Sequence, residues 1–254
     1  MQYFVGKNSI VREIWGKSDT ILLIFAGASA EFALNKAVDW LYFTGRLPKD
    51  PLGRLFSTVS YAREIVFAEK SAAFKAIDSI SEIHQLVETN RGKRIPDWAY
   101  RDVLFMLIDY SIRSFEILER KLKYFEKQEV FDVFLRLGKR MNLVDLPKDF
   151  EEFEIMRENH LHQNLEYSAY TKDLYKQYRY HLGIVRYRLL LETQSLITPN
   201  KVCIYLHLKK NSLLSPAIPI FKISKSIHLD TFFKWLILPG AYRQKIKSLN
   251  YKNF

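Results

Sequence analysis

Arg54 and Thr58 stand four residues apart in DPLGRLFST, residues 50–58, and His84 follows within SEIHQLV, residues 81–87. On a helix, a spacing of four puts Arg54 and Thr58 on one face. His84 lies among Ile77, Ile80, Ile83 and Val87, so helical periodicity carries its imidazole toward the apolar side. A guanidinium and a hydroxyl on one helix, with an imidazole on the apolar stripe of the next, form a set that can hold a cofactor. A neutral imidazole donates a nitrogen lone pair to iron when its other nitrogen is held by a hydrogen bond. The same trio is also compatible with ordinary packing, since a lone His on an apolar helix face is more often a satisfied core residue.

Other catalytic signatures are missing. There is no G-x-G-x-x-G after a strand, no G-x-x-x-x-G-K-[ST], no H-E-x-x-H and no G-x-S-x-G. E-x-x-H does not occur, and a carboxylate di-iron bundle needs two copies of it. Glu158 and His162 are four apart, but one such pair is not a metal site. His160 and His162 are two apart on a helical stretch, face different ways, and read as surface residues. Asp109 lies in the apolar run VLFMLIDYSI, residues 103–112, and needs a partner if buried; Arg54 or Arg113 could serve. Cys203 is the single cysteine, which excludes intrachain disulfides and thiolate clusters and reads as a core residue.

The elements that must position these groups are helices. Nine Gly and eight Pro in 254 residues are too few for a strand-and-turn architecture, and 48% apolar residues suffice for a core. Patterning predicts helices over 19–43, 52–68, 71–90, 97–120, 126–141, 148–164 and 168–194, with Ser18-Asp19 as the first cap. The long helix over 168–194 carries Leu174, Tyr178, His181, Val185 and Leu189 on one side. A short helix after Thr198-Pro199, an irregular stretch over 211–227 and a last helix over 229–249, broken at Pro239-Gly240, complete the chain. The small residues AGASA, 26–30, allow a backbone or a flat ligand to come close, and tight helix packing is the simpler reading. The expected organisation is an all-α, single multi-helix domain of about eight helices. Residues 1–15 form an arm, 16–195 the helical core and 196–254 a helical extension packed on that core.

Charge is the other constraint. Thirty-nine basic against 28 acidic residues give +11. Anionic partners are compatible with that balance, but the basic residues are scattered and no nucleic-acid motif appears, so nucleic acid ranks low as a partner. Solvated Lys-rich faces are the bland alternative. Thr20 to Leu34 is apolar but contains Glu31 and falls short of the ~20 residues needed to span a bilayer, so it reads as a buried helix. The N-terminal residues lack the pattern of a signal peptide, and a cytoplasmic location is expected. Phe232, Phe233, Trp235 and Leu236 near the C-terminus would suit peripheral membrane contact, though core packing explains them equally.

In their order and spacing these segments resemble the rubber oxygenases (latex clearing proteins) and the related MpaB-type oxygenases. The resemblance rests on the AGASA helix, then Asp50-Pro51 with Arg54 and Thr58, then Ile83-His84, then Trp98-Ala99-Tyr100, and spans roughly residues 15–195. It implies an all-α fold of the rubber oxygenase type holding haem b. His84 would be the iron ligand, and Arg54 and Thr58 would line the pocket and take part in catalysis. It also implies O2 as co-substrate, an apolar, isoprenoid or lipid-like small molecule as substrate, and a glutamate base on the helix before Arg54. Glu31 and Asp39 are the acidic residues considered for that position. Ala68 after Phe67, and Val87-Glu88-Thr89, replace glycines usual in the family. The alternative is a helical protein of the same fold without catalysis, binding a lipid, a membrane surface or a protein partner.

Overall fold

The computed structural model describes residues 2–45, 49–209, 211–216, 218, 219 and 222. Ten helices and no strand occur among them, in agreement with the all-α expectation. They are α1 (Ile10–Gly16), α2 (Ser18–Leu34), α3 (Asp39–Phe43), α4 (Pro51–Phe67), α5 (Lys70–Arg91), α6 (Asp97–Leu118), α7 (Tyr124–Arg140), α8 (Phe150–Gln163), α9 (Ala169–Ile197) and α10 (Asn200–Tyr205). The segment expected as a last helix over 229–249, with its Phe232-Phe233 and Trp235-Leu236 patch, lies outside the described residues.

Local chemistry sets most of the helix ends. Asp50 caps α4 by accepting from the Gly53 amide, with Pro51 at the first helical position, where its missing N–H costs nothing. Asp149 caps α8 through the Glu152 amide, and Ser168 with Thr171 forms a reciprocal cap on α9. Gly92 ends α5 in a left-handed conformation, φ 67°, the usual helix stop. The first expected cap shifts by one residue. Ser18 is already helical, Lys17 holds the cap position, and the Asp19 carboxylate accepts from the Thr20 amide.

α2 is the central element, packed against α6 on one side and α9 on another, which is why its sequence is apolar nearly all round. α1, α6 and α7 complete the main core, with Trp15 fully buried and donating its indole N–H to Ser111 at 3.1 Å. The AGASA stretch serves close packing. A Cβ added at Gly27 would lie 2.3 Å from two carbons of the Tyr110 ring, so that ring occupies the space the missing side chain leaves. Gly27→Ala is therefore expected to lose about 1–3 kcal/mol in urea unfolding, the usual cost of overpacking.

Two helices differ from expectation. The predicted 19–43 helix ends at Leu34 and resumes only at Asp39. Asn35 accounts for the break. Its side chain accepts from the Ala37 amide at 2.8 Å and donates to Asp102, while the adjacent backbone pairs with residues 164–166 through Lys36 N–H to Asn164 O and Glu166 N–H to Leu34 O. The α9 helix bends at Gly183, whose φ of 71° and ψ of 170° are not helical. The bend rotates the expected stripe. Leu174 and Tyr178 before it are buried, whereas Val185 after it is 78% exposed. No helix among the described residues is long and apolar enough to cross a membrane.

Candidate functional site

The chain from α4 into α5 folds back on itself so that the two helices pack together, and Arg54 comes close enough to His84 for its charge to act on the imidazole. On α4, the Arg54 guanidinium donates to the Thr58 hydroxyl at 2.8 Å, and that hydroxyl donates to the Arg54 carbonyl at 3.2 Å. The shared face read from the spacing of four is thus an actual contact. On α5, His84 Nδ1 is buried and has no hydrogen-bond partner among the described residues. Burial, then the positive charge of Arg54, lowers the His84 pKa to about 4, with Glu88 opposing. The imidazole is therefore neutral at physiological pH. The Tyr100 ring meets it edge-on, centroids 5.2 Å apart, and the Tyr100 hydroxyl donates to Glu88 at 3.1 Å.

The same face of α5 continues through Glu88 and Arg91, spaced four and then three residues beyond His84. Arg91 pairs with Asp39 on α3 at 2.6 Å and stacks over Trp40 at 4.0 Å. α3, set free by the break at Asn35, is thereby drawn onto the His84 side of α5. Ile83 and Leu86, which helical spacing turns away from the His84 face, are exposed at 43% and 61%.

A second cluster lies inside the bundle. Glu31 of α2 is fully buried and accepts two bonds from Arg157 of α8, at 2.5 and 2.6 Å, one from the Tyr110 hydroxyl at 2.8 Å and one from His160 Nε2 at 2.7 Å. Arg157 also donates to Asp109 of α6, whose other oxygen takes Arg113 at 2.7 Å. His160 Nδ1 meets Asp102 at 2.7 Å, and Asn35 and Asn164 donate to the same carboxylate. Burial alone would raise the Glu31 pKa; the charge and hydrogen bonds of Arg157, aided by His160, hold it instead at about 2. A carboxylate so held is a poor proton acceptor. Glu31 ties α2, α6 and α8 together and does not suit the role of base.

This cluster corrects the surface reading of His160. His162 is indeed exposed and paired with Glu158 at 3.0 Å, but His160, two residues earlier, turns inward and is 3% exposed. With a carboxylate 2.7 Å from each ring nitrogen, both nitrogens must donate, so the ring is an imidazolium. Burial works against that charge, yet the bonds to Asp102 and Glu31 keep the pKa above its ordinary value. Its stabilising effect is therefore complete below about pH 6.5, the ordinary His pKa, and fades as pH rises through the raised one. The urea midpoint is expected to fall as pH rises above the ordinary His range in the native protein and to lose this slope in His160→Gln.

Sequence reasoning supplied only the Asp109–Arg113 pair of this cluster. Arg113 was one of the two partners considered for Asp109; Arg157 was missed, and Arg54 belongs to the other site. The available signal was α8 itself, where Phe150, Phe153, Arg157 and His160 recur at helical spacing as the buried face. Two carboxylates inside apolar runs, Glu31 and Asp109, demanded cations, and that stripe held them. Cys203 is buried, as expected for a core residue.

Among the described residues no group of three or more His, Cys, Asp or Glu is disposed to hold a metal ion. Ligation of a haem iron by one His does not require such a group. No curated protein and no solved structure matches the chain. The family described as "ER-bound oxygenase mpaB/B'/Rubber oxygenase, catalytic domain" matches residues 16–215. A match of that extent, over helices that run from α2 past α10, means that the chain belongs to the ER-bound oxygenase mpaB/B' and rubber oxygenase family and carries its oxygenase catalytic domain.

Proposed function

We propose that the protein is a haem b-dependent oxygenase that uses O2 on an apolar, isoprenoid or lipid-like small molecule. The observation that carries this reading is His84 Nδ1. It is a buried nitrogen without a partner on a ring kept neutral at physiological pH. A buried polar atom left unsatisfied costs about 1–3 kcal/mol, and a bond to a haem iron would remove that cost. The residues present fit the group. His84 would hold the iron, Arg54 would neutralise a carboxylate of the group, and Thr58 would line the pocket. The haem, when bound, supplies the O2 chemistry.

The protein's own residues do the rest. The Arg54–Thr58 hydrogen bond fixes the guanidinium, so its charge is placed before a ligand arrives. Tyr100 limits rotation of the His84 ring by edge contact. Of the two acidic residues considered for the base, Glu31 is consumed by the internal cluster and Asp39 by its pair with Arg91. The deciding experiment is a titration of the purified protein with hemin, read by its absorption spectrum. A Soret band at one haem per chain is the expected result, and its absence in the unaltered protein sinks the reading.

A further inference from the structure

A groove of about 370 Å³ opens away from His84, between the N-terminal segment, the start of α5 and the end of α7. The segment is anchored there because Lys70 N–H donates to Gln2 O and Phe4 N–H to Ala68 O. Lys70, Arg136, Lys139 and Arg140 line the groove, and none of its lining residues is acidic. Arg136, Lys139 and Arg140 follow a three-and-four spacing, so one face of α7 presents them together.

The cations are held over an aromatic floor. Phe4 and Phe74 pack edge to face with centroids 6.1 Å apart. Arg136 sits 5.1 Å from the Phe4 ring, while Arg140 and Lys70 sit 4.9 and 5.8 Å from the Phe74 ring. Arg136 gives one N–H to the Phe4 carbonyl at 3.0 Å, and Arg140 forms a two-pronged pair with Asp78 at 2.8 and 2.6 Å. Asp78 offsets one charge of the four. Lys70 and Lys139 form no ion pair among the described residues. α5 begins at Lys70, and the carboxylate of its cap residue Glu69, which makes no side-chain cap bond, offsets the positive end of the helix dipole there. Four cations gathered over rings, with Asp78 and Glu69 as the carboxylates beside them, still leave a net positive charge that an anion would offset.

We propose that this groove binds a phosphate monoester group, with Lys70, Arg136 and Lys139 as its cationic contacts and the Phe4–Phe74 floor beneath. The inference does not depend on the haem reading, since no groove residue touches His84, Arg54 or Thr58. The phosphate can belong to a soluble ester or to an anionic lipid headgroup, and one set of measurements separates the two. Calorimetric titration of the full chain at low ionic strength with sn-glycerol 3-phosphate is expected to show saturable binding to one site. That binding should weaken as salt shortens the Debye length to about 10 Å at 0.1 M. The pair K70Q/K139Q is expected to weaken it about tenfold, as befits two charge-assisted contacts in an open groove. The control pair K172Q/K176Q removes the same charge from exposed positions on α9 and is expected to bind as the unaltered protein does.

Co-sedimentation with phosphatidylcholine vesicles, with and without phosphatidic acid, then assigns the source. Sedimentation that requires phosphatidic acid and is lost in K70Q/K139Q means a lipid headgroup. Glycerol phosphate binding without vesicle binding means a soluble ester. Equal losses in the two lysine pairs would show mere net-charge attraction, and no binding of either probe would show an empty groove. Either result overturns the proposal.

Discussion

Arg157→Met is expected to lower folding stability by about 3–5 kcal/mol, the cost of removing one partner from a buried ion pair. Folded domains keep only about 5–15 kcal/mol in all, so the variant would lie near the edge of unfolding. The reason is what stays behind. Glu31 is wholly buried in α2, and Arg157 supplies two of the four hydrogen bonds it accepts. Methionine fills similar space but leaves that charge, and part of Asp109, facing an apolar side chain. The double variant Glu31→Gln with Arg157→Met removes the stranded charge and is expected to recover part of the loss. Urea unfolding of the two single variants and the double measures the coupling. If the double is merely the sum of the singles, the pair is not what holds α2 to α8. The acid side follows from the Glu31 pKa of about 2. A lowered carboxylate stabilises the fold above its ordinary value of 4.5 and loses that contribution as pH falls from there toward about 2. Acid unfolding should therefore begin in this range and flatten in Glu31→Gln.

The second large effect concerns His84. His84→Ala is expected to abolish the Soret band of the hemin-loaded protein while leaving its helical circular dichroism intact. The side chain is only partly buried and its Nδ1 has no partner, so little of the fold depends on it. Imidazole added to the Ala variant can occupy the vacated place and is expected to restore part of the spectrum, which a merely unstable variant would not show. The pH profile makes the case more specific. The His84 pKa is lowered to about 4, so the ring stays neutral, and able to bind iron, from physiological pH down to about that value. An exposed imidazole would lose its ligand form near 6.5. Hemin affinity that declines around pH 6.5 would mean a different nitrogen holds the iron. Arg54→Leu removes one cause of the low pKa and is expected to move the acid limit upward while weakening haem retention.

Much of this was legible in the residue pattern. Helix class, the closeness of Arg54 to Thr58 and the inward turn of His84 all follow from spacing, because a helix converts intervals of three and four into shared faces without help from the rest of the chain. The small-residue run on α2 likewise announced a close approach, and Tyr110 makes it. What spacing could not give was the identity of partners distant in sequence. Glu31 and Arg157 are 126 residues apart, and a buried carboxylate demands a cation without saying which. His160 was misplaced for the same reason. Two His at alternate positions must face differently, but only the packing of α8 against α2 and α6 decides which one turns inward. The break at Asn35 was hidden because asparagine is tolerated in a helix until a neighbouring segment, here residues 164–166, competes for its backbone. The sequence by itself determined a helical bundle with Arg54, Thr58 and His84 on adjoining helices. Only the tertiary structure decided that Glu31 meets Arg157 and Asp39 meets Arg91, since long-range packing chooses which carboxylate meets which cation.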